Sequence, residues 1–396
     1  MSKLLNALYI KRNIGKIYLF SFILGIHTVR GVFIPYFTDW GGLTFFEIML
    51  LQSIFTIAIF LLEIPSGAIA DKIGRKTAIC LSALSVAVAA IFYSTIPAFF
   101  MFAIAEIIWG FGVALYSGTD EAFIFNTLKI LGREKELPKI MGREQTMRLI
   151  ALTISAPLGS IIAEYISLQF TMTCLAFIYF GGFLISLTFK EPKIVNNNKS
   201  ERYLTILKDG FKQFRKVKVL RILCFDRLFI GVLIYSLFWT YQVYFEVLSI
   251  PILWFGFLTS LMNIIQAIFM NLLPRIESSV KKKLIFLIIV DIINGITFIF
   301  MGFTSNTFLG VFLVLIIVGI GYPRYLLYMN GINKFIESEN RATVLSTINM
   351  FASILRAIFN PIVGILVMWN INMFFFIIGI GILSFTLLTR VKNEYL

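Results

Sequence analysis

Charge is scarce in this chain. Asp, Glu, Lys and Arg make up 14% of its 396 residues, against roughly 25% in a soluble globular protein. That shortfall excludes a water-soluble domain of this length and points to lipid as the main solvent. Cysteine occurs three times. Cys80, Cys174 and Cys224 all lie in apolar segments, so neither a disulfide framework nor a zinc site is expected and the thiols read as packing residues. Histidine occurs once, as His27. With no metal-ligand cluster, nucleophile motif or glycine-rich nucleotide loop, the sequence predicts no enzyme, no metal and no cofactor.

What is abundant is apolar length. Hydrophobic residues make up 59% of the chain, and a bilayer core takes roughly 20 of them per helix. Apolar windows predict an all-α integral membrane protein with twelve spans, at 16–37, 44–70, 76–95, 98–121, 144–166, 169–189, 219–241, 252–273, 284–303, 307–329, 342–365 and 371–390. Lys3, Lys11 and Arg12 precede an apolar run without a small-residue cleavage pattern, so the first span reads as an uncleaved helix.

The net charge of +14 falls between these spans and reads as orientation in the bilayer, not as a nucleic-acid surface. With the amino terminus placed in the cytoplasm, four of the 35 Lys and Arg residues lie inside spans: Arg30, Arg227, Arg324 and Arg356. The rest fall in cytoplasmic segments or at their membrane edges, which predicts cytoplasmic termini and a multi-pass protein of the inner (cytoplasmic) membrane.

One long polar break, 190–218, divides the chain into six-helix bundles at 1–189 and 219–396. Its second part sets Leu204, Leu207, Phe211, Phe214 and Val217 at helical spacing among lysines, as expected of an amphipathic helix on the inner leaflet. Two sets of six spans suggest a duplication. The fifth carries Pro157 and Gly159, the eleventh Pro361 and Gly364, each after a charged loop containing Arg143-Glu144 or Glu339-Asn340-Arg341. Proline is tolerated in lipid where neighbours repair the lost hydrogen bond, so both helices are expected to face packed protein.

Between the second and third spans stands Gly67-Ala-Ile-Ala-Asp71-Lys72-Ile-Gly74-Arg75-Lys76. This resembles the loop signature of the major facilitator superfamily, G-x-x-x-D-(R/K)-x-G-R-(R/K), at the expected place. With twelve spans and a central linker, the resemblance covers essentially the whole chain. It implies the major facilitator fold, two pseudo-symmetric six-helix bundles, in a transporter of bacterial or archaeal type. Gly67 would let the second helix approach a neighbour closely, and Gly74 permits a tight turn. The family places Asp71 at the amino end of the eleventh helix, which begins near Arg341. Arg75 is expected to reach Asp120 and Glu121. These contacts would form when the cytoplasmic side closes and break when it opens. The matching loop of the second half, 274–283, keeps the charge and loses the pattern. The sugar-transporter signature is absent after the sixth span, where Lys190-Glu191-Pro192-Lys193 is no substitute, and a drug-antiporter pattern is only hinted at by Pro157 and Gly159.

The family's cavity-lining helices are 1, 4, 7 and 10, and here each carries ionisable groups within the membrane: Arg30 and His27, Glu106, Asp226 and Arg227, and Arg324. Such groups cost roughly 2.5–3.5 kcal/mol each on insertion scales, so each needs a partner or a wet cavity. Similar depths predict the pairs Arg30–Glu106 and Asp226–Arg324. Glu106 is the first candidate proton carrier and Asp226 the second, against the alternative of structural ion pairs that never titrate. Trp109 and Tyr116 are candidate pocket residues. His27 is a candidate relay or a polar packing residue. Asp291, on a helix usually peripheral, is expected to pack or snorkel. Together these predict proton-coupled export of a small organic compound by alternating access, driven by the transmembrane proton gradient, in a monomer whose partners are substrate, protons and membrane lipids. Uptake of an organic anion, or a receptor or lipid scramblase on the same fold, are the alternatives.

Overall fold

The computed structural model describes residues 2–192, 214, 216–336 and 341–396. Their regular structure is helical, in twelve successive rods. These are α1 (Ser2–Gly25, continued by short turns to Trp40), α2 (Phe45–Ile73), α3 (Arg75–Thr95), α4 (Phe99–Tyr116 and Thr119–Ile130), α5 (Leu137–Tyr165), α6 (Leu168–Leu187), α7 (Lys218–Tyr235 and Leu237–Val247), α8 (Ile252–Ser279), α9 (Lys283–Met301), α10 (Thr307–Ile316, then turns to Leu326–Lys334), α11 (Arg341–Trp369) and α12 (Ile371–Leu387). Eleven are long and apolar enough to cross a bilayer, and α12 is a shorter apolar helix. The surface helix expected within 203–219 lies almost wholly outside the described residues.

Four of the rods are broken: α1, α4, α7 and α10. In α1 the ladder stops at Gly25 and resumes as a 3-10 turn at Arg30–Val32. In α4 Gly118 adopts a left-handed conformation, φ 72°, which ends one helical piece and starts the next. In α7 the Ser236 hydroxyl donates to Leu233 O at 2.6 Å, competing with the helix ladder. In α10 a π-turn over Ile317–Gly321 gives way to a 3-10 turn at Tyr322–Tyr325, where Pro323 has no N–H to donate. The apolar windows predict continuous spans here because hydropathy does not register a lost backbone bond.

By its packing the chain divides into two compact units. The first comprises Met1–Thr44, Ile54–Lys199 and Ile252–Ser260, and the second Phe45–Ser53, Ser200–Pro251 and Leu261–Leu396. In the first, α1 runs along α5 and α3 lies against α4 and α6. Its apolar core joins Ile17, Phe20, Ile79, Phe123 and Leu128. In the second, α9 packs on α12, and α7 meets α10, α11 and α12 around Leu223, Leu287, Tyr328, Ile332 and Val344.

The prolines of the fifth and eleventh helices, Pro157 and Pro361, are repaired as hydrocarbon demands. Pro157 lies inside α5 and Pro361 inside α11, and each frees the carbonyl four residues earlier. Within the first unit the Ser260 hydroxyl donates to Thr153 O. Within the second, Ser53 Oγ donates to Ala357 O at 2.8 Å. The neighbouring glycine is equally constrained: a Cβ at Gly159 would sit 1.7 Å from Thr28 O.

Candidate functional site

The densest polar group lies inside the second unit, around Arg324. This side chain is 2% exposed and sits in the 3-10 turn that breaks α10. Its Nη2 donates to Asp226 Oδ1 at 2.9 Å and to Asp291 Oδ2 at 2.8 Å, while Nε donates to Asp291 Oδ1. Tyr328, one turn on, lies under the guanidinium and donates its hydroxyl to Asp226 Oδ1. Thr389, just past α12, donates to Asp226 Oδ2 at 2.5 Å. The expected Asp226–Arg324 pair is therefore present. Asp291 is buried and holds the guanidinium by both oxygens, the bidentate geometry that arginine favours. One cation thus faces two carboxylates.

A second buried polar group lies in the first unit. Glu144 is fully buried. Its Oε1 accepts from Ser21 Oγ at 2.7 Å, Arg148 Nη2 at 2.8 Å and Tyr116 Oη at 3.5 Å. The Arg148 guanidinium also lies over the Tyr116 ring, 5.2 Å from its centroid. Glu144 is expected at the edge between a charged loop and the fifth span; it lies within α5, which begins at Leu137. Its four-residue spacing from Arg148 is the sequence signal for that placement.

Around α1 and α4 the other candidates form an aromatic cluster. The His27 ring lies 5.5 Å from Trp109 and 6.5 Å from Tyr179, and its backbone N–H donates to Ser155 Oγ at 2.9 Å. Arg30, in the broken part of α1, is within electrostatic range of His27. Glu106 is buried and lies within electrostatic range of the Tyr93 hydroxyl. On α7 Arg227 packs over Tyr325, 5.5 Å from the ring centroid, and reaches Met329 Sδ at 3.7 Å. Arg356 of α11 lies 5.4 Å from the centroid of the Tyr235 ring.

The loop motif between α2 and α3 departs from expectation in two ways. Arg75 Nη2 pairs with Asp71 Oδ1 at 2.5 Å, one turn back, whereas the expected partners Asp120 and Glu121 open the second piece of α4. There the Glu121 N–H donates to Asp120 Oδ1 at 2.8 Å. Gly67, read as a point of close approach, has open space where a Cβ would be. Glu191, in the segment after α6, caps α3, a role the sequence does not suggest: its carboxylate accepts from the N–H of Arg75 at 3.0 Å and of Lys76 at 2.7 Å. Gly74, with φ 93°, makes the tight turn expected of it. Arg341 is the first residue of α11.

The family model of the Major Facilitator Superfamily matches residues 17–360. The chain belongs to this superfamily. Among curated relatives, a Bacillus subtilis protein named as the uncharacterized MFS-type transporter YxaM is 27% identical over 217 residues, 52% of each chain. That alignment spans about half the length of the relative. A second, the uncharacterized MFS-type transporter MJ1560 of Methanocaldococcus jannaschii, is 22% identical over 79% of this chain and 80% of its own. Among solved structures, the nucleoside transporter NupG superposes with TM-score 0.80 at 15% identity, over 96% of this chain and 99% of that one. A D-xylose-proton symporter superposes with TM-score 0.73 at 13% identity, over 98% and 99%. These likenesses establish the major facilitator fold, and with it a multi-pass membrane transporter. On this fold α1, α4, α7 and α10 are both the broken helices and the ones that carry Arg30, Glu106, Asp226 and Arg324.

Proposed function

We propose that this chain is a proton-coupled secondary transporter of a small organic compound, working by alternating access, with the Asp226–Arg324–Asp291 cluster as its proton site. The observation that carries the reading is the charge count. With both aspartates ionised, the three ion-paired residues hold one negative charge in excess, with the Arg227 guanidinium in electrostatic range of Arg324. An uncompensated buried charge costs several kcal/mol, and a single proton removes it. Glu144–Arg148 is a one-to-one ion pair, with the half-buried Asp120 in electrostatic range of both, and it reads as the structural pair of the two. A neighbour on the same fold is named as a proton symporter, which agrees with proton coupling without indicating substrate or direction.

The distribution of Lys and Arg supports cytoplasmic termini in an inner-membrane protein. Asp71, Gly74 and Arg75 are read as gating residues on that side. Export is the first direction to test. Uptake of an organic anion is the second reading, and it is favoured by Arg227 and Arg356, whose guanidinium groups lie against the Tyr325 and Tyr235 rings.

The test is substrate-screened flux in proteoliposomes with an imposed pH gradient, comparing wild type with Asp226→Asn, Asp291→Asn and Glu106→Gln. Flux should depend on the gradient in wild type and in the Glu106 variant, and lose that dependence in both aspartate variants. Gradient dependence that survives in both aspartate variants sinks the proton site. The sign of the flux separates export from uptake.

A further inference from the structure

The segment after α12, 388–396, folds back onto the ion cluster. Thr389 bonds Asp226 Oδ2, while Arg324 and Tyr328 bond the other oxygen, Oδ1. Val391 and Leu396 are buried in the apolar cluster that also holds Leu223 of α7, Leu287 of α9 and Ile332 of α10. The Leu284 N–H, at the start of α9, donates to Asn393 Oδ1 at 3.2 Å, and Lys334 Nζ donates to Leu396 O at 3.0 Å. The Tyr395 ring meets Phe335 edge-on at 6.2 Å. Its carbonyl fits because residue 331 is glycine: a Cβ there would lie 2.1 Å from Tyr395 O. The segment is thus attached to α7, α9 and α10, the three helices that contribute Asp226, Asp291 and Arg324.

Apolar burial alone would hold such a segment in place. Thr389 does something further, because its hydroxyl is given to a charged group in the cluster. A hydrogen bond to an ionised acceptor is roughly twice as strong as one between neutral groups, so the segment is held more firmly while Asp226 carries its charge. We infer that 389–396 is a latch on the cluster, docked by the negative charge of Asp226 and released when that charge is lost. The inference rests on reading the cluster as the proton site. By linkage the coupling is reciprocal: a docked segment favours the charged carboxylate and a charged carboxylate favours docking. The groups facing Asp226 are Arg324 and Tyr328 from α10, Asp291 from α9 across the shared guanidinium, and the Thr389 hydroxyl. Arg227 is its neighbour on α7.

Arg390 and Lys392 are exposed on the segment and report its docking. The full-length protein in detergent is treated with trypsin, and fragments ending at Arg390 or Lys392 are followed by mass spectrometry. When the segment opens and closes faster than it is cut, the cleavage rate tracks the open population. Losing one hydrogen bond to a charged acceptor should raise that rate about tenfold. The increase is expected in Thr389→Val, in Asp226→Asn and, by displacing Tyr395, in Gly331→Val, with Thr389→Ser close to wild type. Asp226→Asn cut at the wild-type rate overturns the coupling, as does Thr389→Val cut at the wild-type rate should the aspartate variant fail to fold. The readout needs no proton gradient and no substrate, so the two readings fail separately. Release of the segment in Asp226→Asn together with gradient-driven flux that persists in both aspartate variants sinks the proton site and keeps the latch. Loss of gradient dependence without release does the reverse.

Discussion

Ser53 Oγ donates to Ala357 O at 2.8 Å, filling the hydrogen bond that Pro361 cannot make. Ser260 does the same for Thr153 O ahead of Pro157, so the fifth helix of each half carries the same repair. Each serine should matter out of proportion to its size. Ser53→Ala and Ser260→Ala each leave an unsatisfied carbonyl in a water-poor site, at about 1–3 kcal/mol. Thermal unfolding in detergent should show the loss for each serine singly. Restoring the donor with Pro361→Ala should recover most of it in the Ser53 variant. No recovery would mean that the serine acts elsewhere.

Arg324 should be the least replaceable side chain of the second unit. Arg324→Met leaves two buried carboxylates facing each other, and breaking a buried pair from one side costs about 3–5 kcal/mol. The triple variant Arg324→Met, Asp226→Asn, Asp291→Asn removes all three charges and should fold better than the single one. Yield and melting temperature of the purified proteins decide it. A single variant as stable as wild type would show that the charges are not confined together.

Glu144 and Arg148 should couple strongly in a double-mutant cycle. Glu144→Gln keeps the acceptor of Ser21 and Tyr116 but removes the countercharge of Arg148, whose side chain is partly exposed. The single change should therefore cost less than the Arg324 one, about 1–3 kcal/mol. Gradient-dependent flux should persist, because the proposed proton site lies in the second unit. Loss of that dependence in Glu144→Gln would move the proton site to the first unit.

Removal of the Glu191 carboxylate should loosen the start of α3. Two N–H groups of its first turn lose their acceptor in Glu191→Ala, and loss of a helix cap costs about 0.5–2 kcal/mol. Hydrogen exchange at Arg75 and Lys76 should rise while that at Ala87 stays as in wild type. Uniform protection across α3 would show that water replaces the cap without loss.

Much of this architecture was legible in the sequence because lipid restricts the options. Apolar length marks the spans, and Pro157 and Pro361 signal packed surroundings, which the two serines supply. Asp226 and Arg324 could be matched by depth alone, since buried charges need partners. Asp291 packs, as one of its two expectations has it, but its pairing with Arg324 has no local signal, because hydropathy does not say which way a side chain turns. Glu144 stands at the edge of an apolar window, where polar residues look alike whether they are buried or wet. Glu191 caps a helix more than a hundred residues earlier, a relation that no local pattern carries. The breaks in α1 and α10 had local signals in Pro35 and Pro323, which an average over hydropathy dilutes.

Those breaks have a mechanical consequence. An unbroken helix transmits a push along its whole length, because every turn is bonded to the next. A helix interrupted at Gly118, Ser236 or Pro323 behaves as two stiff rods on a joint, so one end can tilt while the other stays where its neighbours hold it. Arg30 and Arg324 are mounted on such joints, in the 3-10 turns of α1 and α10. A change of charge on the carboxylates that Arg324 holds is therefore applied at a point of low bending stiffness, where little force produces a large rotation.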